Sequence, residues 1–343
     1  MGFETDKLKI DMLLSSTLAP RVNGLLDWSS KNYGKHFQIG DPITVGNTPK
    51  NIAYCPINNC MYISNNVGGT VSVVDCSTGI KITDVSVGHT PTGIAYCPTN
   101  NTMYVTNDNP GSVTYVSPIN CFTNNKGTDI PHSSNNGNPK GCVYCTENNS
   151  IYSFGNFKNF IFQWVSYFME IDCNDNSHTE FGSFNSKIDY IAYNPNNNCM
   201  YACDIDSTTI RIIDCNDNSS TLVSIPSCSG GIVYYPLTNK MYIGGYISDY
   251  IVYIMDCNTN TIEATTIIPG ANFLKPIYMP STNRIYFTAD TSYLKYIDCT
   301  DNSVGSSNLL ANAREGLAYC PVNDSIYCNG YDGAHKVYRI GNI

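Results

Sequence analysis

The chain has 343 residues, 42% of them hydrophobic and only 14% charged, with a formal net charge of −9. That balance argues against a nucleic-acid backbone or an anionic membrane surface as the main partner, because both need a basic face. Sixteen cysteines would suggest a disulfide framework in a short secreted chain, but a chain this long can build its own core without one.

Residues 1–35 stand apart from the rest of the chain. Glu4, Asp6, Lys7, Lys9 and Asp11 precede any apolar run, so the segment does not read as a secretory signal. Asp6 stands where a myristoylation signal wants Ser or Thr. Ile10, Leu13, Leu14, Thr17 and Leu18 follow helical spacing until Pro20, and Val22, Leu25, Leu26 and Trp28 form a second apolar cluster. The segment is either an arm resting on its own domain or unfolded, or a docking segment for a protein partner or a second copy, with Leu13, Leu14, Leu18 and Trp28 as contacts. No stretch approaches the eighteen apolar residues of a membrane span.

From His36 the pattern becomes strand-like. Phe37–Val45 reads as one strand, followed by Gly46-Asn47-Thr48-Pro49 as a turn and Ile52-Ala53-Tyr54-Cys55 as a short strand stopped by Pro56. Met61–Ser64, Val71–Asp75 and Ile80–Val87 complete a four-stranded unit, and the turn Gly88-His89-Thr90-Pro91 opens a second copy. Tyr54, Tyr96, Tyr144, Tyr193, Tyr234, Tyr278 and Tyr319 mark seven copies at spacings of 42, 48, 49, 41, 44 and 41. Each is followed by an Asn-rich turn and an apolar-Tyr pair such as Met61-Tyr62 or Met103-Tyr104. In five copies the third strand ends in Asp-Cys, at Asp75, Asp172, Asp214, Asp256 and Asp298, where an Asx turn accounts for the carboxylate. Asn107 is placed to cap the turn after its strand.

Four strands in roughly 40–45 residues, seven times over, predict an all-β, seven-bladed β-propeller across 36–343. The regular part begins with a lone strand and ends after a third-type strand near Lys336–Ile340. The N-terminal strand should therefore become the outer strand of the last blade and seal the ring.

Tyr104-Val105-Thr106-Asn107 and Tyr62-Ile63-Ser64-Asn65, with the turn Pro91-Thr92-Gly93-Ile94-Ala95 and the strand Val71–Asp75, resemble the YVTN-type β-propeller repeat family. The resemblance covers about 36–343 and implies the seven-bladed disc. It says little about activity, since that family spans surface-layer and adhesion-like proteins and relatives of lactonase and haem-containing propellers.

Two stretches depart from the repeat. Asn120–Pro139 reads as a polar, exposed loop attached to the third blade. The run between Tyr152 and Asp172, including Phe157, Phe160, Ile161, Phe162, Trp164 and Phe168, is the most aromatic in the chain. It is either extra core for a longer hairpin or an apolar contact patch in which Phe160, Phe162 and Trp164 meet a partner.

Ligands of propellers collect where turns enter the innermost strands. Lys50, Thr92, Lys140, Asp189, Gly230, Lys275 and Glu315 occupy that position, able to hold a polar surface ligand or to neutralise one another across the channel. They form no carboxylate ring for calcium, Cys-x-x-Cys-His is absent, and Cys142-Val143-Tyr144-Cys145 stands alone as a Cys-x-x-Cys pair, so no metal or cofactor is expected. Gly-x-Ser-x-Gly and a P-loop are also missing.

Equivalent cysteines in successive repeats lie a blade apart, beyond bridging distance, so the thiols are read chiefly as small buried hydrophobes, with some bridges or regulated thiols as the alternative. Abundant thiols fit synthesis in a reducing compartment. Two functions remain: a non-enzymatic structural or interaction protein in a larger assembly such as a cell-surface layer, a filament or a virion, and a channel-site enzyme of the lactonase-like type.

Overall fold

In the computed structural model, described residues run from 38 to 341, apart from 110–112, 133–137, 206, 271–272, 289–293, 308–312 and 331–334. The arm, with Leu13, Leu14, Leu18 and Trp28, lies outside them. Seven antiparallel sheets follow one another along the chain, and no helix occurs among the described residues. Blade 1 comprises Pro49–Cys55, Cys60–Asn65, Thr70–Asp75 and Lys81–Ser86, in that order from the inside outward. Blades 2 to 6 repeat this order, and the innermost strands of neighbouring blades, including the last and the first, touch to close a ring.

Burial follows position in the blade. Second strands such as Cys60–Asn65 are buried along their whole length, because a neighbouring blade covers each face. Outer strands such as Thr261–Ile267 alternate exposed and half-buried residues, as expected where one face meets water. Each core cluster therefore spans two blades: Tyr62, Val71 and Val73 of blade 1 pack with Met103, Val105 and Ile119 of blade 2.

The seven marker tyrosines organise the turns. Every turn between first and second strands places its last residue in the left-handed region: Asn59, Asn101, Asn149, Asn198, Asn239, Asn283 and Asp324 have φ between 50° and 55°. Asn and Asp tolerate that conformation better than other side chains. The hydroxyls of Tyr54, Tyr96, Tyr144, Tyr193, Tyr234, Tyr278 and Tyr319 donate to the Oδ1 of these same residues at 2.8–3.2 Å.

In five copies the second tyrosine reaches the outer turn of the next blade. Tyr62, Tyr104, Tyr152, Tyr201 and Tyr242 are buried, and their hydroxyls donate to Asn124, Asn176, Asn218, Asn260 and Asn302 in the neighbour's outer turn, at 2.6–3.2 Å. The repeated apolar-Tyr pair is thus an inter-blade fastener. The Asp-Cys ends behave as anticipated: Oδ1 of Asp75, Asp172, Asp214, Asp256 and Asp298 accepts the N–H two residues on.

The N-terminal strand closes the ring as expected, but in two pieces. Gln38–Ile39 pairs with Gly341 and Ile340, and Ile43–Thr44 with Val337 and Lys336, all on the outer edge of Lys336–Gly341. Pro42, which has no N–H to give, separates them.

Two local expectations are corrected. The stretch 120–139 is not simply an exposed loop of the third blade: Asn125–Lys126 and Ile130–Pro131 both pair with Tyr115–Asn120, forming the broken outer strand of blade 2, with Ile130 buried. Asn107 caps no turn; it is buried, and its amide donates to Ser117 Oγ in the adjacent strand at 3.0 Å. Asn65 does the same with Ser72 at 2.9 Å. Each forms a polar link inside a blade, in place of a cap at its end.

Candidate partner-binding site

The predicted channel-mouth residues share one backbone feature. Lys50, Thr92, Lys140, Asp189, Lys275 and Glu315 each fall inside a register shift of the innermost strand, between Pro49 and Ile52, Pro91 and Ile94, Pro139 and Gly141, Ile188 and Tyr190, Leu274 and Ile277, and Ala313 and Leu317. A bulge at this point re-aims the side chain without ending the strand. It also brings neighbouring backbones together: a Cβ on Gly93 would stand 2.4 Å from Gly141 Cα, so glycine is required there.

The charges at this mouth are only partly brought together. Asp189 lies 3.7 Å from the Lys140 ammonium and 3.4 Å from that of Lys187, and accepts a 2.9 Å hydrogen bond from Asn156. The Lys275 ammonium sits 5.5 Å above the Tyr190 ring. The Thr92 hydroxyl turns inward, donating to the Pro139 carbonyl at 3.0 Å. Gly230 contributes backbone only, and the Glu315 side chain lies outside the described residues. Among the described residues no three His, Cys, Asp or Glu side chains are grouped as metal ligands would be.

The aromatic run of blade 3 divides in two. Its strands Ser150–Lys158 and Trp164–Asp172 are nine residues long, against six for Cys60–Asn65 and Thr102–Asn107. Phe154, Val165, Tyr167 and Phe168 are buried, and the Phe168 ring stacks on Phe154 and Phe181. The tip is the reverse: Phe160 is 92% exposed and Phe162 81%, beside exposed Ile161 and Trp164. The extra-core reading therefore holds for the base of the hairpin and not for Phe160, Ile161 and Phe162.

The tip is nonetheless a defined shape. Asn159 Oδ1 accepts the N–H groups of Ile161 and Gln163 at 3.1 and 2.9 Å, and the Asn159 N–H donates to the Gln163 carbonyl. Phe162 has φ 62°, unfavourable for a bulky side chain. Trp164 is flanked by the ammonium groups of Lys158 and Lys187, 5.0 and 5.6 Å from its ring. Because Lys187 also meets Asp189, Trp164 at the foot of the aromatic tip is linked to the charged mouth through Lys187, Asp189 and Lys140. Lys187 occupies the repeat position of Thr48 and Thr90, where its carbonyl accepts the same backbone bond, and sequence reasoning missed it.

Sequence reasoning also found no catalytic set among the Ser and His residues, yet three such side chains do meet. His132 Nε2 lies 3.2 Å from Ser153 Oγ, and Nδ1 lies 3.4 Å from the Glu180 carboxylate. The order is that of a Ser-His-carboxylate hydrolase. Burial defeats that use: Ser153 is 0% and His132 1% exposed, packed between blades 2 and 3 with the Tyr167 ring edge-on to the imidazole. Desolvation holds His132 down to about pKa 4, against an opposing pull from Glu180. A shallow groove of about 730 Å³ lies further out on the same two blades, lined by Asn120, Lys126, Asp129, Asp175 and His178, and does not open onto Ser153.

The fold and this face define a β-propeller of seven four-stranded blades with one aromatic hairpin projecting beside its channel. No protein-family model and no curated protein matches the chain. Among solved structures it is similar to Kuenenia stuttgartiensis hydrazine synthase, with a TM-score of 0.69 over 88% of this chain and 97% of that one, at 14% identity. A likeness at that identity speaks to the propeller fold alone.

Proposed function

We propose that the protein is a non-enzymatic interaction module of the YVTN repeat type, which binds a protein partner through the face bearing the blade 3 hairpin. Residues 1–35 serve as its tether to a larger assembly such as a cell-surface layer, a filament or a virion. The observation that carries this reading is the tip itself. Two phenylalanines and an isoleucine stand in water on a capped turn, where no folding energy is gained by their exposure. Aromatic anchors flanked by cations are what a protein interface uses at its centre.

The test is the double variant Phe160→Ser/Phe162→Ser, expressed in the source and followed by sedimentation of the native assemblies. The variant should shift from the assembled to the free fraction while its melting temperature stays within about 2 °C, since exposed side chains contribute little to folding. Retention of the variant in the assembly would overturn the role of the tip. A tightly bound metal together with lactone hydrolysis would favour the channel-site enzyme instead.

A further inference from the structure

The cysteines form a pattern that the repeat alone does not reveal. Antiparallel pairing puts the first-to-second and third-to-fourth turns of every blade on the same face of the disc, opposite the hairpin tip. Cys55, Cys97, Cys145 and Cys320 end first strands there, and Cys76, Cys121, Cys173 and Cys215 directly follow third strands. Equivalent cysteines are a blade apart, as expected, but non-equivalent ones of neighbouring blades meet. Cys55 lies beside Cys121, Cys97 beside Cys173, Cys145 beside Cys215, and Cys320 beside Cys76. Each pair is buried within a single core cluster shared by its two blades. The Asn of the adjoining turn fixes the approach: Asn58, Asn100 and Asn323 donate to the carbonyls of Cys121, Cys173 and Cys76 at 2.6–2.8 Å.

We propose that these four inter-blade cysteine pairs are disulfide-forming sites, which on oxidation by a small-molecule disulfide staple blades 7, 1, 2, 3 and 4 into one covalent belt. The remaining interfaces limit the belt. Asn194 stands opposite Cys257 between blades 4 and 5, and Tyr235 packs beside Cys299 between blades 5 and 6. The chain already pairs one set of cysteines, Cys203 with Cys228 inside blade 4.

The chemistry is thiol–disulfide exchange. The thiolate of one cysteine attacks a sulfur of glutathione disulfide, forming a mixed disulfide and expelling one glutathione thiolate. The partner thiolate then attacks the protein sulfur of that mixed disulfide, closing the protein bridge and expelling the second glutathione. Two protein thiols are oxidised, one glutathione disulfide is reduced, and the two thiol protons end on the two released glutathiones. All eight sulfurs are buried once the blades pack, so the exchange belongs to the stage before the interfaces close.

The test is oxidative refolding of the full chain. The protein is unfolded, refolded in a glutathione/glutathione disulfide mixture, quenched with an alkylating reagent and mapped by mass spectrometry. Cross-linked peptides joining Cys55–Cys121, Cys97–Cys173, Cys145–Cys215 and Cys76–Cys320 are expected, with Cys257 and Cys299 alkylated. The oxidised protein should melt roughly 10 °C above its reduced form, given four added long-loop bridges. The variant Cys97→Ser should lose only the Cys97–Cys173 peptide and leave Cys173 alkylated. Recovery of the eight cysteines mainly as alkylated thiols, or in any other pairing, overturns the proposal, whether or not the variant folds.

Discussion

At the scale of single residues, the repeat is held by a few side chains used in the same way seven times. Asn101 shows how narrow the requirement is. It must sit at φ 53° and also accept the Tyr96 hydroxyl at 2.8 Å. Asn101→Ala should cost about 1–2 kcal/mol, from the left-handed backbone and the unpartnered hydroxyl together. Asn101→Gly should restore the backbone share; urea melts of the two variants separate the contributions, and an Ala variant as stable as wild type would refute the account.

His132 gives a residue-level dependence on pH. Its native pKa of about 4 lies below the ordinary histidine value of 6.5, so between those values the unfolded chain binds a proton that the native state does not. Stability therefore falls as the pH drops from 6.5 towards 4, and this group contributes no pH dependence above 6.5. Glu180, His178 and Tyr167 face the same imidazole, the first favouring the charged form and His178 opposing it. Melting curves across that window should show a steeper loss for the wild type than for His132→Gln.

These residues also show how far sequence could reach. The seven tyrosines and the turn asparagines were legible because local chemistry dictates them: a left-handed turn position and a hydroxyl five residues away are both written within one hairpin. Asn107 was misread because its partner, Ser117, is set by blade pairing and not by its neighbours in the chain. His132, Ser153 and Glu180 come from two blades, and nothing in their spacing announces a meeting. Lys187, which links Trp164 to the charged mouth, was missed for the same reason.

At the scale of elements, the blade 3 hairpin and the N-terminal strand are where the repeat is broken. The hairpin was visible in sequence as an aromatic run, yet alternation alone could not separate the buried base from the exposed tip. The extra length of the strands decides it, by carrying residues 158–164 past the neighbouring blades that cover the base. The N-terminal strand was legible from the offset of the repeat, but its break at Pro42 is a matter of hydrogen-bond supply. Deleting residues 1–35 should leave the melting temperature nearly unchanged. Deleting 1–45 removes the pairing with Lys336–Gly341, exposes that edge, and should lower the melting temperature by several degrees while promoting aggregation. Light scattering alongside calorimetry distinguishes the two truncations; equal behaviour would remove the closing role from residues 38–45.

At the scale of the whole molecule, closure by the N-terminal strand sets a timetable. Residues 38–44 leave the ribosome first among the described strands, but their partner, Lys336–Gly341, is about 290 residues away. At roughly 5–20 residues per second, between about 15 and 60 s of synthesis separate the two, and for that interval the circle is unfinished and each end of the growing arc has an uncovered blade face. Blades can pack pairwise as they emerge, since each core cluster needs only its neighbour, but the arc becomes a ring only when the seventh packs on the first. The disc is therefore completed late, when the newest part of the chain meets the oldest: residues 313–330 pack on blade 1, and only a chain that has also released residues 336–341 can seat residues 38–44 on the edge of its last blade.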